Sequence, residues 1–129
     1  APADEQLALH GLVVHVGVHT FTPVWRGRRR TTDVGLLYDP DRPTEAPLAA
    51  TWTAALRRDR VSRSLTVHRN RPYRGWTDGL TTTLRSEFPP ERYSGIELEL
   101  SQALVPAAPA LLDALARTLA ASLPGRAGR

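Results

Sequence analysis

The sequence predicts an α/β protein with a mixed sheet flanked by helices. Three observations support this prediction: a β-branched apolar strand near the start, segments with the periodicity of amphipathic helices, and shorter strand-like segments between them. The predicted order of elements is ββαβαβα, and such alternation is typical of α/β sheets. The 129 residues are within the size of one domain, and 41% hydrophobic residues are enough to build a core.

The first half of the chain contains two predicted strands and a helix. Residues 12–18 are apolar on both faces apart from His15, which is typical of a strand inside a sheet that is covered on both sides. A basic loop leads to a second strand over 34–38, which ends in a turn rich in Asp and Pro. The segment 44–58 has the spacing of a helix. The residues on its apolar face are Leu48, Trp52, Ala55 and Leu56.

The second half contains two more strands and two more helices. Alternation of polar and apolar residues predicts a strand over 64–69. Asp78 is the predicted N-cap of a short helix over 79–88, which two prolines end. A strand over 96–100 follows, and an amphipathic helix is predicted over 109–123. The apolar residues of that last helix are Leu111, Leu112, Leu115 and Leu119.

The composition excludes several classes of protein. Without cysteine there can be no disulfide scaffold, thiolate zinc site or cysteine nucleophile. No segment approaches the ~20 apolar residues that span a bilayer, and the first residues lack the pattern of a signal peptide. We therefore expect a cytoplasmic protein with no membrane partner. No phosphate-binding glycine loop, GxSxG or HExxH motif occurs, which disfavours nucleotide binding and serine-hydrolase chemistry.

The net charge of +4 raises the question of nucleic-acid binding. All 17 basic residues are arginine, and they are scattered along the chain, with one dense cluster over 26–30. Proteins that bind single-stranded nucleic acids usually stack bases on several aromatic residues, and aromatic residues make up only 6% of this chain. We therefore expect no nucleic-acid partner.

Two histidines lie on the first strand. The two-residue period of a strand places His15 and His19 on the same side, and His19 lies at the carboxyl end, where α/β proteins bind ligands. A neutral imidazole at that position can bind zinc. The alternative is that both are core or rim histidines whose hydrogen bonds are satisfied within the protein.

Two glutamates share one face of the strand over 96–100. Glu97 and Glu99 alternate with Ile96 and Leu98, and buried carboxylates are costly unless they have partners. A carboxylate beside a metal-bound water is the usual general base of metal-assisted hydrolysis. The alternative is that this face of the strand is solvated.

Two loops concentrate arginine. The segment 69–75, RNRPYRG, combines three arginines with an asparagine and a tyrosine, which is suited to binding a carboxylate through forked hydrogen bonds. Turn loops are often polar, so this pattern alone is a weak signal. The other loop places Arg30 and Asp33 at the start of the second strand, where a structural ion pair is the commoner explanation.

Together these segments resemble the N-formylglutamate amidohydrolase family. VHVGVHTFTPVWRGRRRTTDVGLLYDP is similar to that family's histidine strand and the Arg–Asp-Val-Gly strand after it. RNRPYRGWTDGLTTTLR and YSGIELELSQ are similar to its Asn-Pro-Tyr-Gly loop, its helix and its glutamate strand. The resemblance covers residues 12–105 and implies part of an α/β/α domain similar to those of zinc carboxypeptidases, aspartoacylase and succinylglutamate desuccinylase.

The resemblance implies a zinc-dependent amidohydrolase of N-acyl amino acids, similar to N-formylglutamate deformylases. It makes His19 the last protein ligand of the zinc ion (Zn2+). It makes Glu99, rather than Glu97, the general base and later proton donor. One of the arginines would pair with the carboxylate of a small anionic substrate. The residues that the resemblance assigns to the substrate pocket are Asn70, Arg71, Tyr73, Arg74 and Arg30.

The first zinc ligands of the family lie in an N-terminal half, and nothing like its histidine motif precedes Leu12. A catalytic zinc ion normally has three protein ligands, so His19 alone is an incomplete set. We therefore expect 12–123 to be the C-terminal half of such a domain. Residues 1–11 would be a tail or the remnant of a preceding segment, and 124–129 a tail. The missing N-terminal half would lie in the same or another chain.

Three alternatives stay open. The chain can be an inactive or partner-binding half-domain, which an exposed apolar surface would support. It can be a basic nucleic-acid-binding domain that uses residues 26–30, with steeply salt-dependent affinity. It can also be a metal-free hydrolase in which His19 and Glu99 form an acid–base pair and activity survives chelation.

Overall fold

A computed structural model describes residues 12–77 and 79–122 of the chain. Within these ranges there are six strands, three α-helices and one 3-10 helix. In chain order the elements are β1 (Val13–Phe21), β2 (Val24–Trp25), β3 (Arg28–Arg29), β4 (Val34–Leu37), α1 (Glu45–Arg58), β5 (Val67–Arg69), α2 (Leu80–Glu87), β6 (Tyr93–Ser101), the 3-10 helix (Gln102–Ala107) and α3 (Ala108–Ala121).

Four of the strands form one mixed sheet in the order β1-β6-β4-β5. β1 runs parallel to β6, β4 runs antiparallel to β6, and β5 runs parallel to β4. Helices lie against both faces of this sheet, so the predicted α/β class is confirmed. β6 lies between two neighbours, whereas β1 lies at an edge of the sheet that the described residues form.

One face of the sheet carries the core. Apolar residues at every second position of β4 and β6 pack against α1 and α3. α1 contributes Leu48, Trp52 and Leu56, which recur every four residues and so lie on one side of the helix. Complete burial of one such side chain stabilises the fold by about 1.5–3 kcal/mol. The core therefore fixes which face of each strand is turned away from α1 and α3.

A buried ion pair ties the other face together. Glu45, in the first turn of α1, is fully buried, and Nη2 of Arg85 lies 2.8 Å from its Oε1. The Arg85 guanidinium, from α2, also donates to the carbonyl oxygens of Gly75 and Gly95 at 2.7 and 2.8 Å. One side chain thus links α1, α2, β6 and the end of the 70–75 loop.

Most predicted elements are confirmed within a few residues. The helix predicted over 44–58 is α1, and its four predicted apolar residues are all buried. The helices predicted over 79–88 and 109–123 are α2 and α3, and a 3-10 helix precedes α3. The strand predicted over 96–100 extends at both ends to become β6.

Four details differ from the predictions. β1 is an edge strand of the sheet that the described residues form, and its Val18 is 54% exposed. Within these residues β1 is therefore not the strand buried on both faces that the sequence predicted. The strand predicted over 64–69 is reduced to β5, because a turn occupies its first residues. The basic loop contains the β2–β3 hairpin, and Leu112 of α3 is 40% exposed. The predicted cap Asp78 and the predicted tails, 1–11 and 124–129, lie outside the described residues, as does residue 123.

None of the helices among the described residues combines the length and the apolar character that crossing a membrane would require.

Candidate active site

A row of paired residues crosses the sheet on the face opposite the core. His19 of β1 pairs with Glu99 of β6, Glu99 pairs with Gly35 of β4, and Gly35 pairs with His68 of β5. Paired residues of neighbouring strands point to the same face. The side chains of His19, Glu99 and His68 therefore leave the sheet on one side, with a glycine between the last two.

Gly35 allows the 70–75 loop to lie directly on the sheet. A Cβ atom at this position would overlap the carbonyl oxygen of Arg71, and it would lie 3.6 Å from the Cβ atom of Glu99. Any larger residue would push the loop away. The backbone of the loop is thus placed immediately beside the Glu99 side chain.

Glu99 is a buried acid with unused hydrogen-bonding capacity. Its side chain is on the sheet face described above, the residue is 7% exposed, and its buried Oε2 atom has no hydrogen-bond partner. Burial raises the pKa of the Glu99 carboxyl above its ordinary value; the imidazole of His19 opposes the shift, the carboxylate of Glu97 adds to it, and the guanidinium of Arg30 opposes it. The raised pKa makes the Glu99 carboxylate a better proton acceptor than an exposed glutamate.

Glu97 has a different environment. It is half-buried, and its Oε1 atom accepts a hydrogen bond of 3.2 Å from the hydroxyl of Thr81 on α2. The two glutamates are therefore not equivalent: α2 holds Glu97, whereas Glu99 has a buried oxygen atom without a partner.

The two histidines of β1 also differ. Nδ1 of His15 lies 2.7 Å from the hydroxyl of the buried Tyr93, so the hydrogen-bonded alternative describes His15. His19 is exposed beside Glu99, and its Nε2 would lie 3.4 Å from a Cβ atom at Gly17. The ring of His19 therefore extends along β1 over Gly17, and an approaching ligand can reach it.

The described residues do not form a complete metal site. Across 12–77 and 79–122, no group of three His, Cys, Asp or Glu residues lies close enough together to hold a metal ion. A catalytic zinc ion normally has three protein ligands and an open position. His19 can supply one of them, and the donors present do not by themselves fit a zinc ion.

A cleft of about 580 Å³ opens between the β2–β3 hairpin and the 70–75 loop. Three arginines contribute to its walls, Arg29, Arg30 and Arg71, together with two aromatic residues, Trp25 and Tyr73. The cleft therefore brings three of the predicted substrate residues together: Arg30, Arg71 and Tyr73. Its positive charge favours an anionic ligand.

Arg30 is held in place by aromatic rings. Its guanidinium carbon lies 5.1–5.6 Å from the ring centroids of Phe21, Trp25 and Tyr73. Its Nη1 donates to the Tyr73 hydroxyl at 3.0 Å. The suggested structural pair with Asp33 does not orient it, because the Asp33 carboxylate accepts a hydrogen bond from the backbone N–H of Thr66.

The other two predicted substrate residues have different positions. Asn70 has a φ of 53°, and its Oδ1 accepts hydrogen bonds from the backbone N–H groups of Tyr38 and Gly75, both at 3.0 Å. Asn70 therefore shapes the loop rather than offering this oxygen to a ligand. The Arg74 guanidinium lies 5.9 Å from the ring centroid of Trp76, and Arg74 does not line the cleft.

Sequence reasoning missed Trp25 and Arg29 as cleft residues. They lie on a hairpin whose two turn residues, Arg26 and Gly27, have φ values of 51° and 77°. Turns of this kind favour glycine, so the Arg-Gly pair inside the basic loop was the available signal.

His68 was also not assigned to the site. Its Nδ1 lies 2.7 Å from the hydroxyl of Thr32, a residue that lines the cleft. Burial lowers the pKa of the His68 imidazole, Arg71 and Arg57 lower it further, and Asp33 opposes the shift. The surroundings of His68 therefore disfavour its protonation, and its ring contacts a residue that lines the cleft.

The sequence matches no protein-family model and no curated protein. It is similar to a solved crystal structure, that of gene product Atu2144 from Agrobacterium tumefaciens, with 32% identity and a TM-score of 0.65. The similarity covers 92% of this chain and 46% of that one, so this chain spans about half the length of Atu2144. The shared structure supports the fold assignment.

Proposed function

We propose that this chain provides half of the active site of a zinc-dependent amidohydrolase of N-acyl amino acids, similar to N-formylglutamate deformylases. The observation that carries the proposal is Glu99: its buried, unpartnered carboxylate oxygen lies on the same sheet face as the exposed imidazole of His19. A base and a candidate metal ligand side by side are what metal-assisted hydrolysis requires.

Glu99 has the central chemical role in this proposal. Its carboxylate accepts the proton of the attacking water and later delivers that proton to the departing amine. Burial, which raises its pKa, makes it a stronger base than an exposed glutamate. A zinc ion completed by further ligands would supply a lowered pKa for bound water and a polarised carbonyl group. His19 would be one of the residues that hold the ion.

The arginine-lined cleft supports an anionic substrate. Arg29, Arg30 and Arg71 line it, and the charge of Arg30 also acts on the Glu99 carboxyl. A carboxylate bound there would be held by forked, charge-assisted hydrogen bonds. The substrate class that fits is a small N-acyl amino acid.

In this proposal the remaining zinc ligands come from an N-terminal half in the same or another chain. Two observations support such a partner. First, β1 is the edge strand of the sheet formed by residues 12–77 and 79–122, and it lies next to an apolar groove of about 420 Å³, whose exposed residues include Val16, Val18 and Leu112. Second, Atu2144 contains as much again beyond the matched region. A strand added to β1 and a helix placed on the groove would cover both.

A partner-binding half-domain without catalysis is the second candidate, because the same groove serves it equally well. The two candidates differ at Glu99. A half-domain that only binds its partner has no use for an unpartnered buried carboxylate, which is a cost to stability.

A chimera tests the proposal. In it, this chain replaces the matched region of Atu2144, and zinc content is measured together with formate release from N-formylglutamate. We expect one zinc per chimera and formate release. Glu99→Gln should abolish release with zinc retained, His19→Ala should lose zinc, and Glu97→Gln should keep both.

Two results would contradict the proposal: turnover that survives Glu99→Gln, or a folded, zinc-loaded chimera that hydrolyses none of a panel of N-acyl amino acids. Turnover that survives chelation would support the metal-free pair of His19 and Glu99 instead.

A further inference from the structure

Two chemically different kinds of residue line the cleft. Trp25 and Tyr73 are aromatic residues that stay 55% and 44% exposed while lining it. Arg29 and Arg71 line it as well and are exposed cations. A ligand that contacted both kinds of residue would carry an apolar planar group and a negative charge.

Trp25 is presented to the cleft by its surroundings. The tight turn at Arg26 and Gly27 folds the hairpin, and the guanidinium of Arg30 lies 5.4 Å from the Trp25 ring centroid. Arg30 also contacts the rings of Phe21 and Tyr73, so Trp25 belongs to a cluster of three aromatic rings around one guanidinium. The guanidinium of Arg26 lies 5.5 Å from the same ring centroid, yet 55% of the Trp25 surface stays exposed, so part of the ring is available for contact with a ligand.

The size of the cleft favours a larger ligand. Its volume of about 580 Å³ is within the ~300–1,000 Å³ typical of ligand pockets. A short aliphatic acid would leave the Trp25 ring uncovered, whereas an aromatic side chain would offer a ring to contact it.

We propose that this cleft selects N-acyl amino acids whose side chain is a planar aromatic ring. The ring would lie against Trp25, and the carboxylate would bind Arg71. Arg30 would hold the rings of Trp25 and Tyr73 in place. As a statement about substrate class, the inference rests on the proposed function, but the selectivity itself is measurable as binding, without turnover.

The chain contains a matched control for Trp25. Trp76 is also exposed, at 39%, and also contacts an arginine, since the Arg74 guanidinium lies 5.9 Å from its ring centroid. Neither Trp76 nor Arg74 lines the cleft. A general preference of the protein for aromatic solutes would involve both tryptophans, whereas a built site involves only Trp25.

The test is isothermal titration of the purified 129-residue chain with N-formylphenylalanine and N-formylalanine, which differ by one ring. We expect the phenylalanine derivative to bind about tenfold more tightly, in keeping with one stacked ring. Trp25→Leu should bring the two affinities within about twofold of each other, and Trp76→Leu should leave the ratio unchanged. Circular dichroism checks that each variant is folded.

A second pair of variants tests the carboxylate contact. Arg71→Met should weaken binding of N-formylphenylalanine by about tenfold or more, whereas Arg74→Met should not. N-formylphenethylamine, which lacks the carboxylate, should bind to the unmodified chain as weakly as N-formylphenylalanine binds to Arg71→Met.

The inference is overturned if the two formyl amino acids bind equally, if N-formylglutamate binds more tightly than N-formylphenylalanine, if the preference survives Trp25→Leu, or if neither ligand binds at about 10 mM. A preference that depends on Trp25, combined with a chimera that hydrolyses nothing, would refute the proposed function alone. Hydrolysis without any aromatic preference would refute the inference alone.

Discussion

His19 and Glu99 are paired across the parallel strands β1 and β6, so the imidazole and the carboxyl group leave the same face of the sheet side by side. The two residues differ in exposure: His19 is open to solvent, and Glu99 is buried. One can meet a ligand, while the other is protected from water, which is the division of roles that a metal ligand and a general base need.

Glu99→Gln should stabilise the chain at alkaline pH and not at acid pH. The folded protein raises the pKa of Glu99, so the folded state binds the proton more tightly than the unfolded state does. Stability is therefore lost as the pH rises from the ordinary range of a glutamate through the raised value. The variant has no charge to bury and escapes this loss.

Urea unfolding at about pH 4 and about pH 8 measures the effect. The matched variant is Glu97→Gln, which changes a carboxylate that already accepts a hydrogen bond from Thr81. A Glu99→Gln gain of equal size at both pH values would mean that the buried charge is not its cause.

His68 should contribute a loss of stability in acid. The folded protein lowers the pKa of this imidazole, so the unfolded state binds the proton more tightly. The stability that neutral His68 contributes is fully present above its ordinary pKa of 6.5 and is lost as the pH falls from there through the lowered pKa of the folded state. In His68→Gln, thermal unfolding should depend less on pH between about pH 7 and about pH 5.

Thr32→Val provides the comparison for His68. It removes the hydroxyl that lies 2.7 Å from His68 Nδ1 and should cost about 1 kcal/mol above pH 6.5. If His68→Gln keeps the full acid loss, other groups are responsible for it.

Arg85→Met should destabilise the fold by about 3–5 kcal/mol, because it removes the guanidinium in direct contact with the fully buried Glu45 carboxylate. Only the longer contact with Arg42, at 3.8 Å, would then remain. Chemical denaturation measures this loss. Arg117→Met, which breaks the exposed pair with Asp113, should change stability by less than about 1 kcal/mol. Equal effects of the two variants would show that burial of the Glu45–Arg85 pair is not decisive.

Gly35→Ala should displace the 70–75 loop. A Cβ atom at Gly35 would overlap the carbonyl oxygen of Arg71, and such overpacking costs about 1–3 kcal/mol. Gly17→Ala is the control, because its Cβ atom would lie no closer than 3.4 Å to its nearest neighbour. Thermal unfolding gives both losses, and binding of N-formylphenylalanine should weaken in Gly35→Ala alone.

The sequence predicted helices and strands better than it predicted which residues are in contact across the fold. The apolar face of α1 and the alternation of Ile96, Glu97, Leu98 and Glu99 follow from helix and strand periods, which are local properties. The pairing of His19 with Glu99 is not local, and no period in the sequence encodes it. Only the resemblance to a known family suggested that these two residues act together.

The cleft shows the same difference between local and tertiary properties. The 69–75 segment predicted a cluster of arginines, but it did not predict that Arg71 lines the cleft while Arg74 contacts Trp76. Those directions depend on how the loop is held by Asn70 and by Gly35, which are tertiary contacts. Trp25 was missed because its hairpin was predicted to be an irregular basic loop.

The pairing of β1 with β6 also sets the order in which the site can be made. His19 and Glu99 are 80 positions apart (99 − 19 = 80), and β6 is the strand that β1 pairs with in the described part of the chain. At ~5–20 residues per second of synthesis, β1 leaves the ribosome roughly 4–16 s before its partner. During that interval the valine-rich β1 lacks its β6 partner, and a strand without a partner is prone to aggregation. A contact so distant along the chain also makes folding slow, so the histidine and the glutamate meet late.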